Sequence, residues 1–227
     1  IDRVRVPFVF SLILKANFCT WSKKIIYNIS IDFTNEKDIM SVYKVGYIIG
    51  SLASVSINRL LAEALIKVAP EELEFSEIEI KDLPLYNYEH DPDYPPVARA
   101  FKQAIAEVDA VLFVTPEYNR AIPGALKNAF DWASRPYGQN SFTGKPTAII
   151  GTSPGMIGTA LAQRELRGLL NFSNAPLMTF PEAYIQFKPD LITDDGEITV
   201  ESTREFLSSF MAAFLEFIQQ VYVVLPR

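Results

Sequence analysis

Three short stretches carry residue types that could do chemistry. The first is Gly50-Ser51-Leu52-Ala53-Ser54-Val55-Ser56-Ile57-Asn58, followed by Arg59. It leaves an apolar run, Lys44–Ile49, and enters an amphipathic segment. A strand, a loop of small residues and a helix present backbone N–H groups and the positive end of a helix dipole to an anion. Three serines and an asparagine add side-chain donors within one turn. Ser51–Asn58 holds no lysine or arginine, so a phosphate here would be held by neutral donors. The same stretch also reads as an ordinary helix start with Ser54 or Ser56 as N-cap.

The second stretch is Pro116-Glu117-Tyr118-Asn119. It offers backbone donors and acceptors beside an aromatic ring, which suits the edge of a flat heteroaromatic ligand; as a plain turn it would leave Glu117 solvated. The third is Gly151-Thr152-Ser153-Pro154-Gly155-Met156-Ile157-Gly158, where three glycines allow backbone to approach a ligand closely or simply allow a flexible turn. Neither G-x-G-x-x-G nor a Walker-type G-x-x-x-x-G-K-[ST] is present, which disfavours a dinucleotide Rossmann site and an NTPase and leaves a mononucleotide phosphate as the better fit.

Other chemistries are narrowed by counting. There is one cysteine, Cys19, and one histidine, His90. No intramolecular disulfide, Cys-rich metal site, Cys-His pair or Ser-His triad is expected. His90 sits among Tyr88, Glu89, Asp91 and Asp93 and reads as a solvated loop residue. An enzyme with so few nucleophiles and bases would rely on a cofactor, with no catalytic side chain and no metal. The net charge of −6 leaves no basic stripe for nucleic acid.

Those loops need elements to hold them. Lys44–Ile49, Leu73–Ile80, Ala110–Thr115, Pro146–Ile150 and Pro176–Phe180 read as strands. Asn58–Val68, Pro96–Val108, Gly124–Ser134, Thr159–Phe172 and Val200–Tyr222 read as helices. Ala110–Thr115 is apolar throughout, as a central parallel strand covered on both faces would be. Alternation of strands and helices predicts an α/β fold with a five-stranded parallel sheet and helices on both faces. In the order 2-1-3-4-5 the ligand crevice lies between strands one and three, with the Ser51–Asn58 and Pro116–Asn119 loops facing across it.

Residues 1–39 do not share this pattern. Val6–Leu14 is apolar after Arg3 and Arg5, like a signal-peptide core, but no A-x-A-like site follows and the run is too short to span a bilayer. The chain opens on Ile1, and Met40 stands just before the first strand. The expectation is a domain over 40–227 preceded by an upstream extension or misplaced start, with a weak targeting segment as the rival.

Gly50-Ser51-Leu52 with Ser56 and Asn58, then Thr115-Pro116-Glu117-Tyr118-Asn119, then Ile122-Pro123-Gly124-Ala125-Leu126-Lys127-Asn128 with Asp131-Trp132, together resemble the NADPH-dependent FMN reductase family, and within it the bacterial quinone and chromate reductase branch. The match runs from about Val45 to the C-terminus. The resemblance implies a flavodoxin-like three-layer sandwich, non-covalent FMN, and NAD(P)H-dependent reduction of quinones or similar small acceptors, chromate and free flavin among them. It implies a cytoplasmic homodimer or homotetramer with no nucleic-acid or membrane partner. Carried over, Ser51, Ser56, Ile57 and Asn58 would hold the FMN phosphate. Pro116, Glu117, Tyr118 and Asn119 would line the isoalloxazine ring, and Ser153 and Gly155 would approach it from the third loop. Members commonly carry Arg after Gly-Ser-Leu; this chain carries Ala53. The glycine pair after Ile157 is also incomplete, since Thr159 follows Gly158. Two other readings share the fold: an FMN-binding electron carrier without pyridine nucleotide turnover, and a scaffold that has lost its cofactor.

Overall fold

The computed structural model describes residues 42–226. The extension over residues 1–39 lies outside the described residues. Five strands, β1 (Tyr43–Ile49), β2 (Leu73–Glu77), β3 (Ala110–Val114), β4 (Thr147–Ser153) and β5 (Tyr184–Gln186), form one sheet in the order β2-β1-β3-β4-β5. Every neighbouring pair is parallel. This is the expected order, with its switch point between β1 and β3.

The strand pleat sorts the core into two halves. In β1 and β3, Val45, Ile49, Ala110, Leu112 and Val114 face helices α1 (Ile57–Val68) and α5 (Glu201–Val224). Ile48, Val111 and Phe113 face α2 (Pro96–Ala106), α3 (Gly124–Ala133) and α4 (Ala160–Phe172). All five residues of β3 are buried, as its unbroken apolar run requires for a strand covered on both sides. Helix α5 is long and apolar enough to cross a membrane by length and composition. Here its apolar face, Leu207, Phe210, Met211, Phe214 and Ile218, is buried within the α1-side core.

One strand departs from expectation. Pro176–Phe180 makes only a single parallel bridge, Thr147 with Leu177. The fifth strand is Tyr184–Gln186, which pairs with Gly151–Ser153. The cause lies in β4, which does not stop at Ile150 but runs on to Ser153 and so carries a second half that takes its own edge partner. Other boundaries shift by three residues or fewer.

Candidate functional site

Three βα loops leave the carboxyl ends of β1, β3 and β4 side by side, and direct bonds tie them together. Gly50 N–H donates to Val114 O at 2.9 Å, and a Cβ on Gly50 would lie 2.7 Å from Thr115 Oγ1. Asn58 is 1% exposed and bonds the backbone of Thr152 twice: Nδ2 donates to the carbonyl and Oδ1 accepts from the N–H, each at 3.0 Å. Its amide therefore joins the first loop to the third. One Nδ2 hydrogen and Oδ1 are committed to Thr152, and the backbone N–H is the donor that Asn58 offers at the helix start.

Within the first loop Ala53 N–H turns back to Ser51 Oγ at 3.4 Å, and the donors at the helix start are left open. Ser56 takes the N-cap position of α1 in extended conformation, yet its hydroxyl makes no capping bond. The first intrahelical bonds come from Arg59 and Leu60 N–H to Ser56 O, so the N–H groups of Ile57 and Asn58 precede the helical ladder. Ser51 and Ser56 are buried beside them. No acidic residue occupies the first turn of α1. A serine hydroxyl, early amide groups and an uncapped helix end make a donor set suited to an oxyanion.

The charge nearest this loop is engaged elsewhere. Arg59 donates to both oxygens of Glu77 at 2.8 and 2.7 Å, a bidentate fork across the cleft that Ser51–Ser54 share with Ile78–Lys81. Arg59's hydrogen bonds hold the Glu77 carboxyl below its ordinary range, against the opposing effect of partial burial. Burial raises the neighbouring Tyr47 phenol, and the Glu77 charge adds to that. The guanidinium therefore does not stand in for the arginine that Ala53 replaces.

The second loop is built differently. Tyr118 and Ala121 exchange two backbone bonds of 3.0 Å around Asn119 and Arg120, whose φ angles are +53° and +68°. Two positive values at the centre of a four-residue turn make a type I′ geometry, easy for Asn and costly for Arg. Glu117 is not solvated: only 6% of its side chain is exposed. Its Oε2 accepts from Leu161 and Ala162 N–H at 2.9 and 3.2 Å, capping α4. Its side chain is thus turned to the helix, leaving its backbone for any ligand edge. Glu165 of α4 returns the contact, accepting from Ile122 N–H at 2.8 Å. The sequence held no signal for Glu165, which looks like any charge on a helix surface. Pro116 is buried, while Tyr118 and Asn119 are exposed.

In the third loop Ser153 Oγ donates to Gly158 O at 2.6 Å, closing the loop on itself. Its glycines answer to the protein's own backbone. A Cβ on Gly151 would lie 2.1 Å from Thr115 O, and one on Gly158 (φ +57°) 2.9 Å from the Tyr184 carbonyl carbon. Gly155 is exposed, and a Cβ there would meet only Ser153 Oγ at 3.5 Å. Around these loops stand exposed apolar side chains: Leu52 and Val55, Tyr118, and Met156 with Ile157.

The remaining motif residues are scaffold. Asn128 accepts from Tyr86 N–H at 2.9 Å and donates to Pro84 O at 2.9 Å, and Trp132 Nε1 donates to the same carbonyl at 2.7 Å. They pin the 81–95 loop to α3. His90 lies with its ring 5.7 Å from that of Trp132.

Comparison with known proteins gives one consistent picture. Residues 43–190 match the family described as NADPH-dependent FMN reductase. A 2-hydroxy-1,4-benzoquinone reductase of Burkholderia sp is 49% identical over 176 residues, covering 78% of this chain and 96% of that protein. A quinone reductase of Pseudomonas putida is 46% identical over 179 residues, covering 78% and 96%. Among solved structures, FerB, a flavoenzyme NAD(P)H:(acceptor) oxidoreductase from Paracoccus denitrificans, aligns with a TM-score of 0.76 at 47% identity, covering 79% of this chain and 98% of that one.

Proposed function

The chain belongs to the NADPH-dependent FMN reductase family, and from that premise we propose that it is an NAD(P)H-dependent quinone reductase whose FMN is held by the three joined loops. The carrying observation is the uncapped start of α1 beside a locked ring loop. Free neutral donors stand at one end of the crevice, and fixed backbone edges stand at the other. That division fits a ligand with an anion at one end and a flat ring at the other.

In this reading Ser51, Ser56 and the backbone N–H groups of Ile57 and Asn58 receive the phosphate. Pro116, Glu117, Tyr118 and Asn119 line the ring through backbone groups and the Tyr118 ring. Ser153 and Gly155 border it from the third loop, with Ser153 acting by holding that loop closed. When bound, FMN would supply the redox chemistry, taking a hydride from NAD(P)H and giving two electrons, with the accompanying protons, to the acceptor. The chain's contribution is binding and orientation. Leu52, Val55, Tyr118, Met156 and Ile157 give the entrance an apolar character. That supports flat, conjugated ring acceptors such as quinones and free flavin ahead of chromate, a compact oxyanion for which Arg120 is the nearby cation, already set 3.3 Å from Glu117.

Finer parts of the reading are a cytoplasmic location, where NAD(P)H is supplied, and a homodimer or homotetramer, supported by the exposed Leu85, Tyr88 and Tyr137. The reductase domain spans 40–227, supported by a family match that begins at residue 43. The test is spectroscopic. Titration with FMN should saturate, anaerobic NADPH or NADH should bleach the visible flavin band, and benzoquinone should restore it. Binding without bleaching would favour the electron-carrier reading, and no binding would refute the reductase reading.

A further inference from the structure

Two carboxylates cross between the Pro116–Asn119 loop and α4 in opposite directions. Glu117 reaches from the loop to the helix start, where Leu161 and Ala162 N–H donate to it. Glu165 reaches back from one turn further along to Ile122 N–H, just beyond the turn. Between these anchors lies the turn with Asn119 and Arg120 at positive φ. Arginine in the left-handed region costs about 1 kcal/mol relative to its ordinary conformations. Such a turn persists where its surroundings over-determine it. Here they do: the two flanking carboxylate bonds, the reciprocal Tyr118–Ala121 bonds and the Arg120–Glu117 contact all act on six consecutive residues.

The asymmetry of the two acids matters. Glu117 is almost wholly enclosed, so its charge needs the helix N-terminus as a partner. Glu165 belongs to an exposed stretch of α4 and could have been left in water. It bonds the one backbone N–H that fixes where the chain leaves the turn. Glu117 has both oxygens engaged, by Arg120 and by the start of α4, and Glu165 gives one oxygen to Ile122 N–H; both set the height and angle of the backbone between them.

We propose that Glu117 and Glu165 are positioning residues that together fix the backbone edge presented to the flavin ring, and so tune its reduction potential through geometry. This rests on the FMN reading above. Potential follows the hydrogen bonds that the protein makes to the ring, and those follow the placement of Pro116–Asn119.

The experiment uses the full chain and three variants, Glu165→Ala, Glu165→Gln and Glu117→Gln. Each is measured for FMN dissociation constant by visible titration, midpoint potential of the bound flavin by spectroelectrochemistry, and melting temperature without FMN. Glu165→Ala leaves Ile122 N–H without its acceptor and should raise the dissociation constant about tenfold, the scale of one lost charge-assisted bond. It should also move the potential. Glu165→Gln keeps an oxygen that accepts from Ile122 N–H and should recover most of both. Glu117→Gln should move both quantities in the same direction as Glu165→Ala, and it keeps the test open should the alanine variant fail to fold. A purely structural role would lower the melting temperature and leave the potential of the loaded protein unchanged; that result, or a wild-type dissociation constant in both Glu165→Ala and Glu117→Gln, overturns the proposal. A wild-type chain that binds no FMN overturns the functional reading itself, a distinct outcome seen before any variant is made.

Discussion

The first and second loops of the crevice solve opposite problems. In Ser51–Asn58 the hydroxyl of Ser56 and the first amides of α1 are left without internal partners. In Pro116–Ile122 the turn is closed on itself and anchored at both ends by carboxylates. An anion site must keep donors available until the ligand arrives, and unsatisfied donors near the surface cost little because water serves them. A site that reads the edge of a rigid ring must already have its backbone in place, since every degree of freedom frozen on binding weakens affinity. The strained residues accordingly fall in the second loop, and the uncommitted ones in the first.

The largest disturbance should come where the second loop rests against the strand that carries the third. Gly151 lies against Thr115 O, at the root of the second loop, and near Thr159 Oγ1, at the start of α4. Gly151→Ala places a methyl 2.1 Å from that carbonyl and cannot be absorbed by a side-chain rotation alone. It should cost about 3 kcal/mol or more, as severe overpacking does. Urea unfolding checks it; a loss under about 1 kcal/mol would mean that the β3–β4 seam yields more readily than packed interiors usually do.

Next comes the bond that joins the first loop to the third. Asn58→Ala removes both partners of the Thr152 backbone and leaves a buried N–H and C=O unpaired. The expected loss is roughly 2–3 kcal/mol. FMN affinity should fall with it, because the start of α1 is no longer held against β4. Calorimetry with and without FMN separates the two: equal losses would show that Asn58 acts on the fold alone and would erase the distinction drawn between the loops.

How much of this was legible beforehand follows the same division. The sheet, its order and the five helices could be read because apolar periodicity reports burial, and burial is what the strands and helices share. Lys44–Ile49 and Ala110–Thr115 needed no further information. The fifth strand was misplaced because a three-residue edge strand such as Tyr184–Gln186 carries almost no pattern, whereas Pro176–Phe180 looks apolar for a different reason: Met178 fills the α1-side core. At the site, residue types picked out three loops that the sheet brings side by side, but not the directions of their side chains. Asn58 and Glu117 were named for a ligand, and the fold has turned both towards backbone. The partners that turned them, Thr152 and the start of α4, lie 94 and 44 residues away in sequence. Glu165 had no local signal at all.

The comparison sharpens if the first loop is given what it lacks. Ala53→Arg adds a cation to an exposed position beside Ser51 and Ser56. It should tighten FMN binding about tenfold at low salt, the worth of one charge-assisted bond. The gain should shrink as ionic strength rises towards 1 M, where the screening length falls to about 3 Å. Titrations at two salt concentrations check this. Unchanged affinity at low salt would mean that residue 53 points away from the phosphate and that the neutral donors suffice.

A smaller effect should come from releasing the cation already nearby. Arg59 stands in the first turn of α1 and lines the same cleft as Ser51–Ser54, but both of its outer nitrogens face Glu77. Glu77→Gln keeps the shape and removes the charge, so the fork loses its grip. The freed guanidinium should improve FMN affinity about threefold, less than a purpose-placed arginine, because it must also hold a new rotamer. Acid should mimic the substitution. The folded carboxyl lies below its ordinary range, so the pair's contribution to stability is complete above the unfolded value of about 4.3 and drains away as pH falls through the lower folded value. In that acid window wild type and Glu77→Gln should converge in stability, while staying apart near neutrality. Convergence at neutral pH would show that the ion pair, half open to water, contributes nothing measurable. The first loop would then be neutral by the placement of Arg59 and not by its partner.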